Sequence, residues 1–291
     1  MTGREATTRV GRRTLHGTTS TAAIALVGVA CTAVGFAAGS SGAVDWGFAV
    51  PALLAAAALS SVVGFAFSAL ALALSGWCFR DPVAMVGTFL VCSIAIQTLS
   101  VIRLRAALDP KTLAPFMLGG LAGTPLGTWM LLHLDAPRLG ALLGVLLLGW
   151  CLFMLLRRPG WTLRGTVAGD VVAGALGGVT GGVAAFPGAV PVLLLGLRGW
   201  SKERQRATYQ PFILVMQLAS LASLDAQGGF ARLDVGALPL PQVAAATVAA
   251  LIGANLGLRR FARLDERQFA RWVLVLLAAS GAAMVVRGSL T

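Results

Sequence analysis

The sequence predicts an all-α polytopic membrane protein. Its plan is two tandem homologous repeats of about four transmembrane helices, each repeat with a broken or re-entrant segment, and one extra N-terminal helix. Three observations lead there: too few charges to clothe a globule, apolar blocks of membrane length, and polar residues and glycines that recur half a chain apart. Of 291 residues, 57% are hydrophobic and 12% charged, whereas a soluble domain carries charge on about a quarter of its residues. The apolar blocks run about 18–25 residues, enough to cross a hydrocarbon core of roughly 30 Å.

The net charge of +12 does not point to nucleic acid. Arginines and lysines sit between the apolar blocks, as in Arg157, Arg158 and Arg164 or Arg259, Arg260 and Arg263. That is the placement of orientation determinants, and no basic face with interleaved aromatics occurs. Cys31, Cys78, Cys92 and Cys151 stand singly in or beside apolar stretches and read as packing residues. No metal centre or cofactor is expected: the two histidines, His16 and His133, lie far apart, and no P-loop is present. The expectation is that the chain is not an enzyme.

Along the chain, residues 1–20 form a basic, Thr-rich tail expected to be disordered. Residues 21–41 form the extra helix, read either as a retained span or as a cleaved leader. Repeat 1 covers residues 48–157 and repeat 2 residues 165–288. Adding 120 carries Ser60, Thr88, Gln97 and Ser100 onto Thr180, Thr208, Gln217 and Ser220; adding 130 carries Gly123, Gly127 and Asp135 onto Gly253, Gly257 and Asp265. Hydrophobicity alone would not align polar groups and glycines, so the chain reads as a duplication.

Sidedness follows from the positive-inside rule. If every long block crosses once and the short blocks 67–78 and 188–198 do not, nine spans result, with the N-terminus cytoplasmic. Arg103, Arg105, Lys111, Arg157, Arg158, Arg164, Arg232 and Arg287 then lie outside and the other Lys and Arg inside. A crossing short block would change the relative orientation of the repeats, which the sequence leaves open.

The most informative segment is Gly174–Trp200. Gly174, Gly178 and Gly182 share one helical face, fit for close packing, as do Gly119, Gly123 and Gly127. Pro187 and Pro191 then interrupt the helix, and too few apolar residues follow before Arg198 to span. The reading is a pair of half-helices whose freed backbone lines a cavity, with a purely structural kink as the alternative. Candidate substrate-binding residues here are Thr180, Gly181, Gly182, Pro187 and Gly188; in repeat 1, Ser60, Ser61 and Gly64 hold the same place. Thr88, Gln97, Thr208 and Gln217 are expected to form a shared polar centre, against a role as interhelical hydrogen bonds. Arg206 either neutralises an anion or merely counts as a positive-inside residue. Asp170 is the one acidic residue placed to be buried.

These residues resemble the TauE/SafE sulfite exporters, also described as toluene-sulfonate uptake permeases. The resemblance rests on Gly64-Phe65-Ala66-Phe67, on Phe116–Gly127, on Leu134-Asp135, on Gly174–Gly182, on Phe186-Pro187-Gly188 and on Arg206-Ala207-Thr208. It departs from the family where the usual run of three glycines is reduced to Thr180-Gly181-Gly182, and where repeat 1 has Ser60-Ser61. The resemblance implies a secondary carrier of small anions, such as sulfite, sulfonates or related organosulfur compounds, working by alternating access between the repeats.

The expected partners are the anionic substrate, the lipid bilayer and a coupling ion, H+ or Na+, with no nucleic acid. Oligomeric state is open, a homodimer among the options, and the expected location is a bacterial inner membrane. A carrier of an unrelated solute or metal-linked species, or a non-transporting scaffold, stands as the alternative.

Overall fold

The computed structural model describes residues 40–41, 44–156, 164–232 and 240–260, with single helical positions at 275, 278, 282 and 285. The basic tail, the first apolar block and most of the last block lie outside the described residues. What is described is almost wholly helical, as an all-α membrane protein requires. A minimal strand pair, β1 (Ser40–Ser41) and β2 (Val44–Asp45), leads into ten helices among the described residues. They are α1 (Trp46–Val63), α2 (Phe67–Ser75), α3 (Pro82–Leu104), α4 (Pro110–His133), α5 (Ala136–Leu156), α6 (Val167–Ala184), α7 (Ala189–Leu197), α8 (Lys202–Ala226), the single turn α9 (Gly229–Arg232) and α10 (Leu240–Arg260). Among the described residues, four stretches are long and apolar enough to cross a membrane: Pro82–Ala107, Val167–Ala184, Arg204–Ala226 and Leu240–Gly257.

Local chemistry sets the helix starts. Asp81 accepts the N–H of Val83 at 2.7 Å, and Asp109 accepts that of Lys111 at 3.1 Å, each followed by a proline at the first helical position. Thr166 and Ser201 cap α6 and α8 in the same way, from Gly169 N–H at 3.1 Å and Arg204 N–H at 3.3 Å.

The two interrupted segments break at Gly64 and just before Pro187. The first helix of each ends on a residue in the left-handed region, Gly64 at φ 85° and Ala185 at φ 54°. For alanine that conformation costs roughly 1–2 kcal/mol. A Cβ on Gly64 would also come within 2.9 Å of the Tyr209 hydroxyl. Gly64→Ala should therefore lower the melting temperature in detergent, and Ala185→Gly should leave it unchanged or raise it.

After each break the chain turns back. Phe79 forms a bridge with Val44, and its ring lies 6.1 Å from that of Trp46 at the start of α1. Arg198, at the end of α7, pairs with Asp170 in the first turn of α6. Each of α1–α2 and α6–α7 is thus a hairpin whose two ends lie at one level. The α3 helix starts where α1 starts, so the sequence-based assumption that each long block crosses once gives the wrong relative directions. It fails because the short helices carry the chain back.

Contacts fix the remaining directions. Gly253 and Gly257 of α10 meet Leu54 and Ala58 of α1, and Thr247 of α10 lies 3.6 Å from Cys92 Sγ of α3. Together with a shared wall at Gln97–Ser100 and Ala254–Asn255, these make α1, α3 and α10 parallel. Gly119, Gly123 and Gly127 of α4 meet Val171, Ala175 and Val179 of α6, while Thr124 and Thr128 meet Met216 and Ser223 of α8. So α4, α6 and α8 also run parallel. Between the two groups, Gln217 of α8 donates to Ser93 of α3 at 2.6 Å, and Arg206 and Arg103 line one cavity. The α3 and α8 helices are therefore antiparallel, and the two groups run in opposite senses.

The tightest packing is α4 on α6. A Cβ on Gly119, Gly123 or Gly127 would run into the carbonyl of Val171, Ala175 or Val179, and one on Gly174 or Gly178 into that of Phe116 or Gly120. In lipid, where apolar burial gives little drive, such backbone contact is what holds helices together.

Candidate functional site

A polar cavity lies at the tip of the α1–α2 hairpin, with a volume of about 170 Å³. Ser60, Ser61 and Gly64 come from the end of α1, Phe65 and Phe67 from the turn and first residue of α2. Ser93, Gln97, Ser100 and Arg103 come from α3, Arg206 and Gln210 from α8, and Asn255 from α10. Each is positioned by an ordinary device. Ser60 and Ser61 donate back to the Ala57 and Ala58 carbonyls at 3.1 and 2.9 Å, leaving their oxygens free to accept. Gln210 donates to the Gly64 carbonyl at 3.4 Å, tying the hairpin tip to α8. Arg206 is hydrogen-bonded to Tyr209, whose ring stands edge-on to Phe65 at 6.0 Å. Phe65 in turn stacks on Phe186 at 6.2 Å, so the two hairpin tips meet.

Five residues singled out from the sequence therefore share this cavity: Ser60, Ser61, Gly64, Gln97 and Arg206. The others lie elsewhere. Thr88 and Thr208 are buried and bond their own helices, to Ala84 O at 2.8 Å and Arg204 O at 3.1 Å, and the antiparallel register of α3 and α8 sets them toward opposite ends of the pair. Gln217 is behind the cavity wall, held by Ser93. Thr180 bonds within α6 and faces an apolar groove with Val145, Leu146 and Phe153. Gly181 abuts Pro187, Gly182 packs on Thr128, and Gly188 packs on Ile213 and Phe65.

Sequence reasoning passed over Ser93, Arg103, Gln210 and Asn255 as site residues. Arg103 was assigned to the side opposite Arg206; the antiparallel α3–α8 pair brings both to one mouth. A signal for Gln210 and Asn255 existed, since both are amides inside apolar blocks.

The same end of the molecule is rich in cations. Arg198, with its side chain buried, makes a two-pronged contact with Asp170, the second prong at 3.3 Å, and its guanidinium lies 5.8 Å from the Phe116 ring and 5.3 Å from that of Trp200. Arg204 also stacks on Trp200, with its guanidinium 3.9 Å from the ring centroid. Asp109, in the α3–α4 turn, is held below its ordinary pKa first by the Thr112 hydroxyl, with a smaller contribution from Arg204.

A family model described as Sulfite exporter TauE/SafE matches residues 49–284. The chain belongs to the TauE/SafE family. The match spans both hairpins and every residue of the cavity. A TauE/SafE chain is a multi-pass membrane protein of a transporter family, in keeping with the apolar helices. No curated protein and no solved structure matches the chain.

Proposed function

We propose that this TauE/SafE chain is a secondary carrier of a small sulfur-containing anion, such as sulfite or a sulfonate, and that the cavity at the α1–α2 tip is its solute site. The observation that carries this is the wall composition. Arg103 and Arg206 stand among hydroxyls and amides, with no carboxylate among the described residues that line the cavity. Two guanidiniums with neutral donors around a low-dielectric space favour an anion over a cation or a neutral solute. Ala66 gives α2 no side-chain cap, so the positive end of that helix faces the cavity as well. At about 170 Å³ the space is below the roughly 300–1,000 Å³ of sites for drug-sized ligands, which restricts the occupant to a small solute.

The reading includes two inverted repeats. Helix ends pair Gly64 with Ala185, a spacing of 121, which moves the partner of Ser60 from Thr180 to Gly181. Under that pairing α1 corresponds to α6, α3 to α8 and α4 to α10. The contacts α1–α10 and α4–α6 then become one contact seen twice, and α3–α8 the axis. Opposite helix directions supply the inversion, as in other carriers with sites between repeats.

Sidedness also becomes sharper. With the directions found here, every Lys and Arg among the described residues except Arg80, Arg138 and Arg232 falls at the end that holds Arg103 and Arg206. By the positive-inside rule that end is cytoplasmic, so the cavity opens to the cytoplasm of a bacterial inner membrane, with a proton or Na+ as the coupling partner.

The test is a thermal-shift panel on protein in detergent, with sulfite, sulfoacetate, taurine and methanesulfonate against neutral controls. Binding to the folded state alone adds about 2.7 kcal/mol at one hundred times the Kd. A selective shift with one sulfur anion, lost in Gln97→Ala and in Arg206→Gln, is expected. Shifts of equal size in wild type and both variants would place the solute elsewhere.

A further inference from the structure

Resting on the inverted-repeat reading, we infer a second, latent half-site for the same anion, on the side away from the arginine-rich mouth. It is formed by Gln217, Ser220, Thr124 and Gly181 and closed by a knot of Thr128, Ser223 and Gln227. The repeat pairing carries the open cavity onto this region: Gln97 onto Gln217, Ser100 onto Ser220, Ser60 onto Gly181 and Ala254 onto Thr124. In the structure the region is shut. Gln217, Ser220 and Thr124 are each at most 1% exposed.

Two observations independent of the pairing point to a ligand there. Gln217 Oε1 and Ser220 Oγ are buried without a hydrogen-bond partner among the described residues. Leaving a buried polar atom without a partner is costly, and both orphans lie one turn apart on α8, where a Cβ on Gly181 would fall 3.5 Å from the Ser220 hydroxyl. Packing alone gives no reason to keep them polar. The second observation is how the region is closed. Gln227 Nε2 donates to Thr128 Oγ1 at 2.6 Å, Ser223 Oγ at 3.0 Å and the Pro125 carbonyl at 3.2 Å, while Thr128 and Ser223 bond each other at 2.7 Å. These bonds join α4 to the end of α8. At the other end, the positions paired with Ser223 and Pro125 are Arg103 and Asn255, which line the open cavity. One end is knotted and the other open, as two faces of an alternating-access carrier require.

When the knot opens, the Gln217 amide and the Ser220 and Thr124 hydroxyls gain access to water and to the anion. They offer neutral donors where the cytoplasmic mouth offers guanidiniums. The half-site facing outward thus holds the anion more weakly than the half-site facing inward.

The experiment is side-selective labelling with a membrane-impermeant charged maleimide, in spheroplasts and in inside-out vesicles, read against wild type. Ser220→Cys and, independently, Thr124→Cys are expected to label from the outer face, and Ser100→Cys from the cytoplasmic face. Thr128→Val and Gln227→Leu should each raise outer labelling of Ser220→Cys roughly fivefold, the population shift from one net hydrogen bond. Size-exclusion profiles, and full labelling after denaturation, confirm that each variant is folded and present. If Ser220→Cys and Thr124→Cys stay unlabelled from outside, with or without the knot, while Ser100→Cys labels, the latent half-site is wrong and the cytoplasmic cavity stands. If Ser100→Cys itself labels only from outside, the sidedness on which both rest is overturned.

Discussion

Gly178→Val should abolish the folded protein, or lower its stability by about 3 kcal/mol or more, the upper end for overpacked sites. A Cβ there meets the Gly120 carbonyl and the Thr124 amide, both backbone atoms that cannot rotate aside. Relief requires α4 and α6 to separate, and the reciprocal contacts at Gly119, Gly123, Gly127, Gly174 and Gly182 would open with them. Those contacts replace the hydrophobic drive that lipid cannot supply. Gly149→Ala is the control, since nothing lies within 4 Å of a Cβ at that position. Monodisperse yield and apparent Tm in detergent should collapse for the first variant and hold for the second. A Gly178→Val protein that behaves like wild type would mean that α4 and α6 are not in backbone contact.

The Asp170–Arg198 pair carries the second large effect. Removing one partner of a buried ion pair leaves the other charge uncompensated, at about 3–5 kcal/mol. Asp170→Leu alone should thus lower the apparent Tm by roughly 6–15 °C, taking about 2–3 °C per kcal/mol for a chain of this size. Asp170→Leu with Arg198→Leu should recover most of the loss, since apolar replacement of both partners is often neutral. The positions paired with them in the first hairpin at the same spacing of 121, Ala49 and Trp77, already lack both charges. That contrast makes the α6–α7 hairpin the clamped one and leaves the α1–α2 tip, beside the open cavity, tied by Gln210 and Arg206. If the double variant is as damaged as the single, the two residues act separately and no clamp exists.

Much of this architecture was legible because membrane physics writes it plainly. Block length and the scarcity of charge gave the all-α membrane class, and Pro187 marked the second break. Pro191, read from the sequence as a second interruption, instead sits in the first turn of α7, where a missing N–H is tolerated. The first break was faint, as Gly64 alone marks it, and only its positive φ shows why a glycine stands there. Helix direction was not legible. Whether a nine-residue helix returns the chain or ends in mid-membrane depends on tertiary contacts such as Val44 with Phe79, which no local pattern encodes. The misplaced side of Arg103 followed from that one assumption. The polar centre misled for a different reason: hydroxyls such as Thr88 and Thr208 can satisfy themselves on the preceding turn, while amides such as Gln97 and Gln210 reach outward.

The central claim, that the cavity walled by Gln97, Arg103 and Arg206 passes a small sulfur anion, is tested most directly by counterflow in proteoliposomes. Vesicles loaded with unlabelled anion would be offered radiolabelled sulfite, sulfoacetate or taurine from outside. Wild-type protein is expected to accumulate at least one label, and Gln97→Ala and Arg206→Gln to reduce that accumulation at equal amounts of folded protein. Accumulation by the variants equal to wild type would contradict the claim.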